Sequence, residues 1–172
     1  MNDKRLDAWI IFAMLLVFLV ILSTLNPDNK FGGPMVTEPN PMFTPGEVRN
    51  MTVEEICDTT WSKIPRKIYT SDKKYVAKQY NIPWELRAEY EFDHLIPRCL
   101  GGADSRKNLF PQYRKGNEGA LIKDKTERRA CVMVCKGQLD LKETQLAFAN
   151  DWVSLYKEIY SPLRRMLIYL EN

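Results

Sequence analysis

Eighteen consecutive residues, Ala8 to Leu25, carry no charge, and only Ser23 and Thr24 among them are polar. A run apolar on every face does not suit one wall of a small globular core. As a helix rising about 1.5 Å per residue it would span about 27 Å, enough for a thin bilayer. The competing reading is a cleaved signal peptide, whose apolar stretch of about 7–15 residues ends at a small-residue site. The run here is longer, and Ser23-Thr24-Leu25 is a poor cleavage site, so an uncleaved anchor is expected. Lys4 and Arg5 precede the run, which by the positive-inside rule favours a cytoplasmic N-terminus. The expectation is thus a single-pass membrane protein with an extracytoplasmic domain, or a secreted one if the segment is cleaved.

No second run of this kind exists in the 172 residues, which excludes a polytopic membrane protein. Residues 26–48 hold five of the ten prolines and three of the eight glycines, a composition that reads as a tether. The expected organisation is an anchor over 1–25, a linker over 26–48 and one domain over 49–172. The net charge of +3 conceals a division along the chain. Residues 31–60 carry one Arg against five acids, whereas residues 61–130 carry sixteen Lys and Arg against nine acids. A polyanion partner is therefore sought in the central segment.

Thr52-Val53-Glu54-Glu55 is a capping-box pattern that opens a short helix. Ser71 can cap a second helix, ending before Asn81-Ile82-Pro83. Tyr90 to Ile96 alternates like a strand and stops at Pro97. Gly101-Gly102 opens a polar loop, and Asn108 to Gln112 is a second extended segment. Helices are expected over 117–134 and 139–160, the latter with Leu141, Leu146, Phe148, Trp152, Leu155 and Tyr156 facing the core. Pro162 would start a last helix.

The chain has one histidine, which excludes sites built on several imidazoles. It stands in Asp93-His94, at the end of the first predicted strand. Neighbouring strand residues point to opposite faces, but at a strand end both can reach a common centre. A carboxylate is a hard oxygen ligand for a divalent cation, and a neutral imidazole can take a proton from water. That combination suits phosphodiester hydrolysis.

The flanking elements are Phe92-Asp93-His94-Leu95-Ile96-Pro97, Leu100-Gly101-Gly102, Lys107-Asn108-Leu109-Phe110-Pro111-Gln112 and Lys123-Asp124-Lys125-Thr126-Glu127. In these the chain resembles the HNH endonucleases, the ββα-metal finger nucleases, and within them a bacterial group reading DHLIP…LGG…NLWPQ. The resemblance covers residues 50–160, most specifically 90–127. It implies an α+β fold: a ββα-metal (HNH) finger embedded in a mainly helical domain, here preceded by a transmembrane helix. It implies His94 as general base, Asp93 as metal ligand and Asn108 as a brace of the inter-strand loop that keeps His94 oriented. Asn117 would be the second protein ligand, with Glu118 or Asp124 as substitutes. Oxygen ligands favour Mg²⁺, with Mn²⁺ as the other candidate.

Arg98, Arg106, Lys107, Arg114 and Lys115 lie within eighteen residues and are the candidate phosphate contacts. The related group carries cysteines near positions 57 and 135, which implies a Cys57–Cys135 disulfide and leaves Cys99 and Cys131 as a second pair. A Cys₄ zinc site is disfavoured because no CxxC occurs. The function implied is a membrane-tethered, metal-dependent endonuclease acting on DNA with little sequence preference, since no groove-reading helix is evident. The alternative is an HNH-like module, tethered to a membrane, that binds nucleic acid without cutting it. A structural protein using its basic region on anionic lipid fits less well, because residues 31–60, beside the apolar run, are acidic.

Overall fold

A computed structural model of the chain describes residues 10–17 and 33–162. The chain divides into two units, Met1–Gly33 and Pro34–Asn172. In the first, residues 10–17 are helical. No helix of the described residues is long and apolar enough to cross a membrane. This corrects the expected transmembrane helix and the single-pass membrane location; the flanks of the apolar run lie outside the described residues. So does the last helix expected from Pro162 onward, beyond its first residue. The architecture is corrected with it: the second unit is mixed helix and sheet, and its only sheet among the described residues has two antiparallel strands.

Among the described residues of the second unit, four α-helices accompany the strands: α1 (Val53–Asp58), α2 (Thr70–Gln79), α3 (Ala120–Cys135) and α4 (Leu141–Ile159). The capping box closes the start of α1: the Thr52 N–H donates to Glu55 Oε2 (2.8 Å), and the Glu55 N–H to Thr52 Oγ1 (3.2 Å). Helix α2 begins one residue before Ser71, where the Asp72 carboxylate accepts from the Tyr69 N–H at 3.0 Å. A carboxylate there also suits the positive end of the helix dipole. Helix α3 starts three residues later than expected, because Gly116 has φ +92° and Gly119 passes so close to Arg114 O that a Cβ would sit 2.6 Å away. Helix α4 is capped by Asp140 and bends at Asp151, where φ and ψ leave the helical region. Leu146, expected in its core face, is 61% exposed.

Strands β1 (Tyr90–His94) and β2 (Leu109–Tyr113) pair with Asp93 opposite Phe110 and His94 opposite Leu109. Pro111 is tolerated in β2 because a two-stranded sheet has outer edges that need no N–H donor. Two apolar clusters form among the described residues. One gathers Val76, Tyr80, Tyr90, Leu95, Leu109 and Phe110 around α2 and the sheet. The other gathers Ile56, Ile96, Leu100, Met133, Phe148 and Trp152 around α1, α3 and α4. Leu95 joins the first and Ile96 the second, so the chain passes from one cluster to the other immediately after His94.

The proline-rich segment read as a tether packs onto this unit over its second half. Val36 and Thr44 are buried, and Thr44 Oγ1 donates to Leu109 O at 3.0 Å. Val48 forms an antiparallel bridge with Gly102. Two disulfides, Cys57–Cys135 and Cys99–Cys131, use all four cysteines. The first ties α1 to the end of α3; the second ties the inter-strand loop to α3 one turn earlier. Such pairs are compatible with an extracellular or secreted protein.

Candidate hydrolytic site

The loop from β1 to β2 turns back through a 3-10 turn at Arg98–Leu100 and a second at Arg106–Asn108. Gly101 has φ +80°, and a Cβ on Gly102 would stand 1.8 Å from Ile96 O, so the fold needs glycine at both. Asn108 is wholly buried and spans the loop. Its Oδ1 accepts from the Ile96 N–H (2.8 Å), and its Nδ2 donates to Ile96 O (3.0 Å) and Ala103 O (3.1 Å). The Leu95 N–H donates to Asn108 O at 2.8 Å, which closes the strand end directly after His94.

Asp93 and His94 are both buried, under different elements. Asp93 Oδ2 faces Lys123 of α3 at 3.4 Å, and its Oδ1 lies 3.8 Å from the Arg66 guanidinium. His94 turns to the loop, with Nε2 2.7 Å from Asp104 Oδ1. The two nevertheless line one cleft of about 440 Å³. Trp61, Ile64, Pro65 and Pro97 give it apolar wall, and Arg66, Arg98, Asp93, His94 and Glu127 give it polar and titratable groups.

Burial pushes the His94 imidazole below its ordinary value, and this outweighs the nearby Asp104 and Asp93 carboxylates. The ring is therefore neutral at pH 7. Burial also pushes Asp93 upward, but Lys123 and the hydrogen bond from the His94 backbone overcome it, so Asp93 stays ionised. Asp104 behaves alike. Burial raises it, while the Lys67 N–H, His94 and Arg98 together hold it below the usual carboxylate range. Glu127 goes the other way: burial, aided by Asp93, drives it up to about 8 against the pull of Lys123.

Asp93, Asp124 and Glu127 each offer a carboxylate oxygen, all within 4.8 Å of one another. This hard-oxygen donor set fits Mg²⁺ or Mn²⁺. A fixed cation already stands beside it. The Lys123 ammonium is fully buried, donates to His94 O at 2.6 Å, and contacts both Asp93 and Glu127. Burial works against its charge, yet Glu127 and Asp93 more than offset this and keep it protonated. Lys123 thus shares the carboxylates that a divalent ion would use. Lys123→Met leaves the buried Asp93 carboxylate without its closest cation. A loss of about 3–5 kcal/mol is expected, read from the urea unfolding midpoint.

The other residues singled out from the sequence are dispersed. Arg98 lines the cleft, donating to Ile64 O at 3.0 Å and standing 3.2 Å from Asp104 Oδ1. Arg106 pairs with Asp72 at 2.7 Å and stacks over Tyr75. Arg114 pairs with Glu91 at 2.8 Å, and Lys115 with Glu89 at 3.1 Å. These three and the exposed Lys107 do not line the cleft. Asn117 is exposed on the turn before α3 and does not line it either. Glu118 offers its backbone carbonyl to Gln112 Nε2 at 2.8 Å. Sequence reasoning passed over Arg66 and Asp104. No motif marks Arg66, but Asp104 sits in the polar loop that the glycine pair opens, where an aspartate that contacts His94 was there to be asked about.

Set beside known proteins, the chain matches no family model, no curated protein and no solved structure.

Proposed function

We propose that the chain is a metal-dependent endonuclease of the HNH kind it resembles, hydrolysing DNA phosphodiester bonds with little sequence preference. The observation that carries this reading is one cleft lined by the chain's single imidazole, His94, the Asp93 carboxylate and the guanidinium groups of Arg66 and Arg98. Arg66 and Arg98 would hold the phosphodiester, Arg98 with its guanidinium already fixed by backbone carbonyls. His94 takes a proton from water as the water oxygen bonds to phosphorus. The P–O ester bond breaks, and the leaving oxygen departs with the electron pair and is protonated from solvent. A divalent ion held by Asp93 with Asp124 or Glu127 would neutralise charge on the phosphate and leaving oxygen. Asn108 acts through the loop, keeping the strand end and hence His94 in place.

Incubation of the protein with supercoiled plasmid tests the reading. Mg²⁺ or Mn²⁺ should convert it to open circles, EDTA should stop this, and added metal should restore it. Failure to nick DNA or RNA under any metal condition would leave only a binding role. The resident ammonium of Lys123 favours that second reading, because it occupies carboxylates the metal needs.

The pH dependence follows from His94. The base works when neutral, so kcat/KM falls as pH drops through its pKa. That pKa lies below the ordinary 6.5, so the acid limb should also lie below 6.5. An acid limb above 6.5, measured as the pH profile of nicking rate, would contradict the assigned base.

A further inference from the structure

We infer that Asp104 is a positioning residue for His94: its carboxylate holds the proton on Nε2, so that Nδ1 is the nitrogen that accepts the proton of water. The inference rests on the nuclease reading for its kinetic consequence only. The contact itself is a 2.7 Å hydrogen bond between Nε2 and Asp104 Oδ1. An ionised carboxylate can only accept, so in a neutral ring the Nε2 must be the protonated nitrogen. No described residue hydrogen-bonds to Nδ1.

Asp104 is itself held from several sides, which is what a positioning group needs. The Lys67 backbone N–H donates to its Oδ2 at 2.9 Å, and Arg98 Nε stands 3.2 Å from its Oδ1. The carboxylate therefore cannot swing away without leaving an N–H unpaired. Arg98 is fixed in turn by Ile64 O and Pro65 O. A cleft wall (Ile64 to Lys67), the inter-strand loop and the strand end thus converge on one carboxylate. Asn108 sets the backbone of this corner, whereas Asp104 sets the ring. Outer partners that fix the tautomer of a metal-ligating histidine typically change function by about 10–100-fold when removed, and an effect of that order is expected for the ring that Asp104 holds.

The single histidine makes the test direct, because ¹⁵N-histidine labelling gives one imidazole spectrum with nothing to assign. Above the ordinary imidazole value, wild type should show Nε2 protonated and Nδ1 bare. Asp104→Ala should give a mixture of tautomers. In plasmid nicking, Asp104→Ala should lower kcat about 10–100-fold with KM near the wild-type value. A wild-type ring protonated on Nδ1 would overturn the inference without any variant. So would an Asp104→Ala protein with unchanged tautomer and unchanged kcat. If wild type cleaves nothing, the nuclease reading fails, while the tautomer measurement still decides the role of Asp104.

Discussion

His94→Ala should lower the rate of plasmid nicking by about 10²–10⁴-fold, the usual contribution of a positioned general base. At 1.36 kcal/mol per factor of ten, that is about 2.7–5.4 kcal/mol of barrier. KM should move little, because the groups proposed to hold phosphate are Arg66 and Arg98, and neither is anchored by His94: Arg98 hangs on Ile64 O and Pro65 O, and Arg66 lies by Asp93. The substitution removes a buried ring that bonds Asp104, so the melting temperature is measured alongside. A rate loss at retained folding and KM assigns the effect to the reacting group. A variant that nicks as fast as wild type would remove His94 from the mechanism.

Loss of the Cys57–Cys135 bridge is the second large effect. It closes a loop of 78 residues. Loop-closure entropy puts its contribution at about 4.5 kcal/mol. The Cys99–Cys131 bridge closes 32 residues and is worth about 3.7 kcal/mol by the same relation. Each is a large part of the roughly 5–15 kcal/mol that holds a domain folded. The paired substitution Cys57→Ser, Cys135→Ser should therefore shift the urea midpoint strongly downward, and full reduction should shift it further. The second bridge matters for the cleft as well. Cys99 lines it beside Arg98, and Cys131 stands on α3, the helix that also carries Asp124 and Glu127. A midpoint unchanged by reduction would show that neither bridge constrains the unfolded chain.

Local features of the fold were legible where chemistry is local. The Thr52–Glu55 capping box, the glycine pair at the loop and the extended runs on either side of it follow from residues a few positions apart. Leu146 was misplaced because it was chosen for its hydrophobicity: at about 3.6 residues per turn it stands nearly opposite Phe148, off the face that Leu141, Phe148, Trp152 and Leu155 bury. The segment before Val48 looked like a tether because its order comes from distant partners. Thr44, for instance, bonds Leu109 O and the Tyr80 hydroxyl. Composition counts prolines and sees none of this.

At the candidate site the same division holds. Asp93-His94 was conspicuous because the chain has no other histidine. Lys123 and Glu127 stand in the sequence only as the ends of a motif element, and nothing local shows that the Lys123 ammonium is completely buried beneath the end of β1, against His94 O, Asp93 and Glu127. The basic cluster was read as a phosphate-holding set. Arg106, Arg114 and Lys115 instead meet Asp72, Glu91 and Glu89, acids 23 to 34 residues away along the chain. Pairings at such separations depend on how the sheet and α2 come together, and charge counts along the sequence do not register them. The membrane expectation rested on length and hydropathy, and among the described residues no helix is long and apolar enough to cross a membrane.

The central claim is that this chain itself cuts phosphodiester bonds through His94. The most direct measurement is renaturation of the unreduced protein within a DNA-containing gel, which separates it from contaminating nucleases by mass. Wild type should clear the DNA at the position of a 20.1 kDa chain in Mg²⁺, and not in EDTA. The His94→Ala lane, with equal protein, should stay stained. Clearing of equal strength in both lanes would contradict the account.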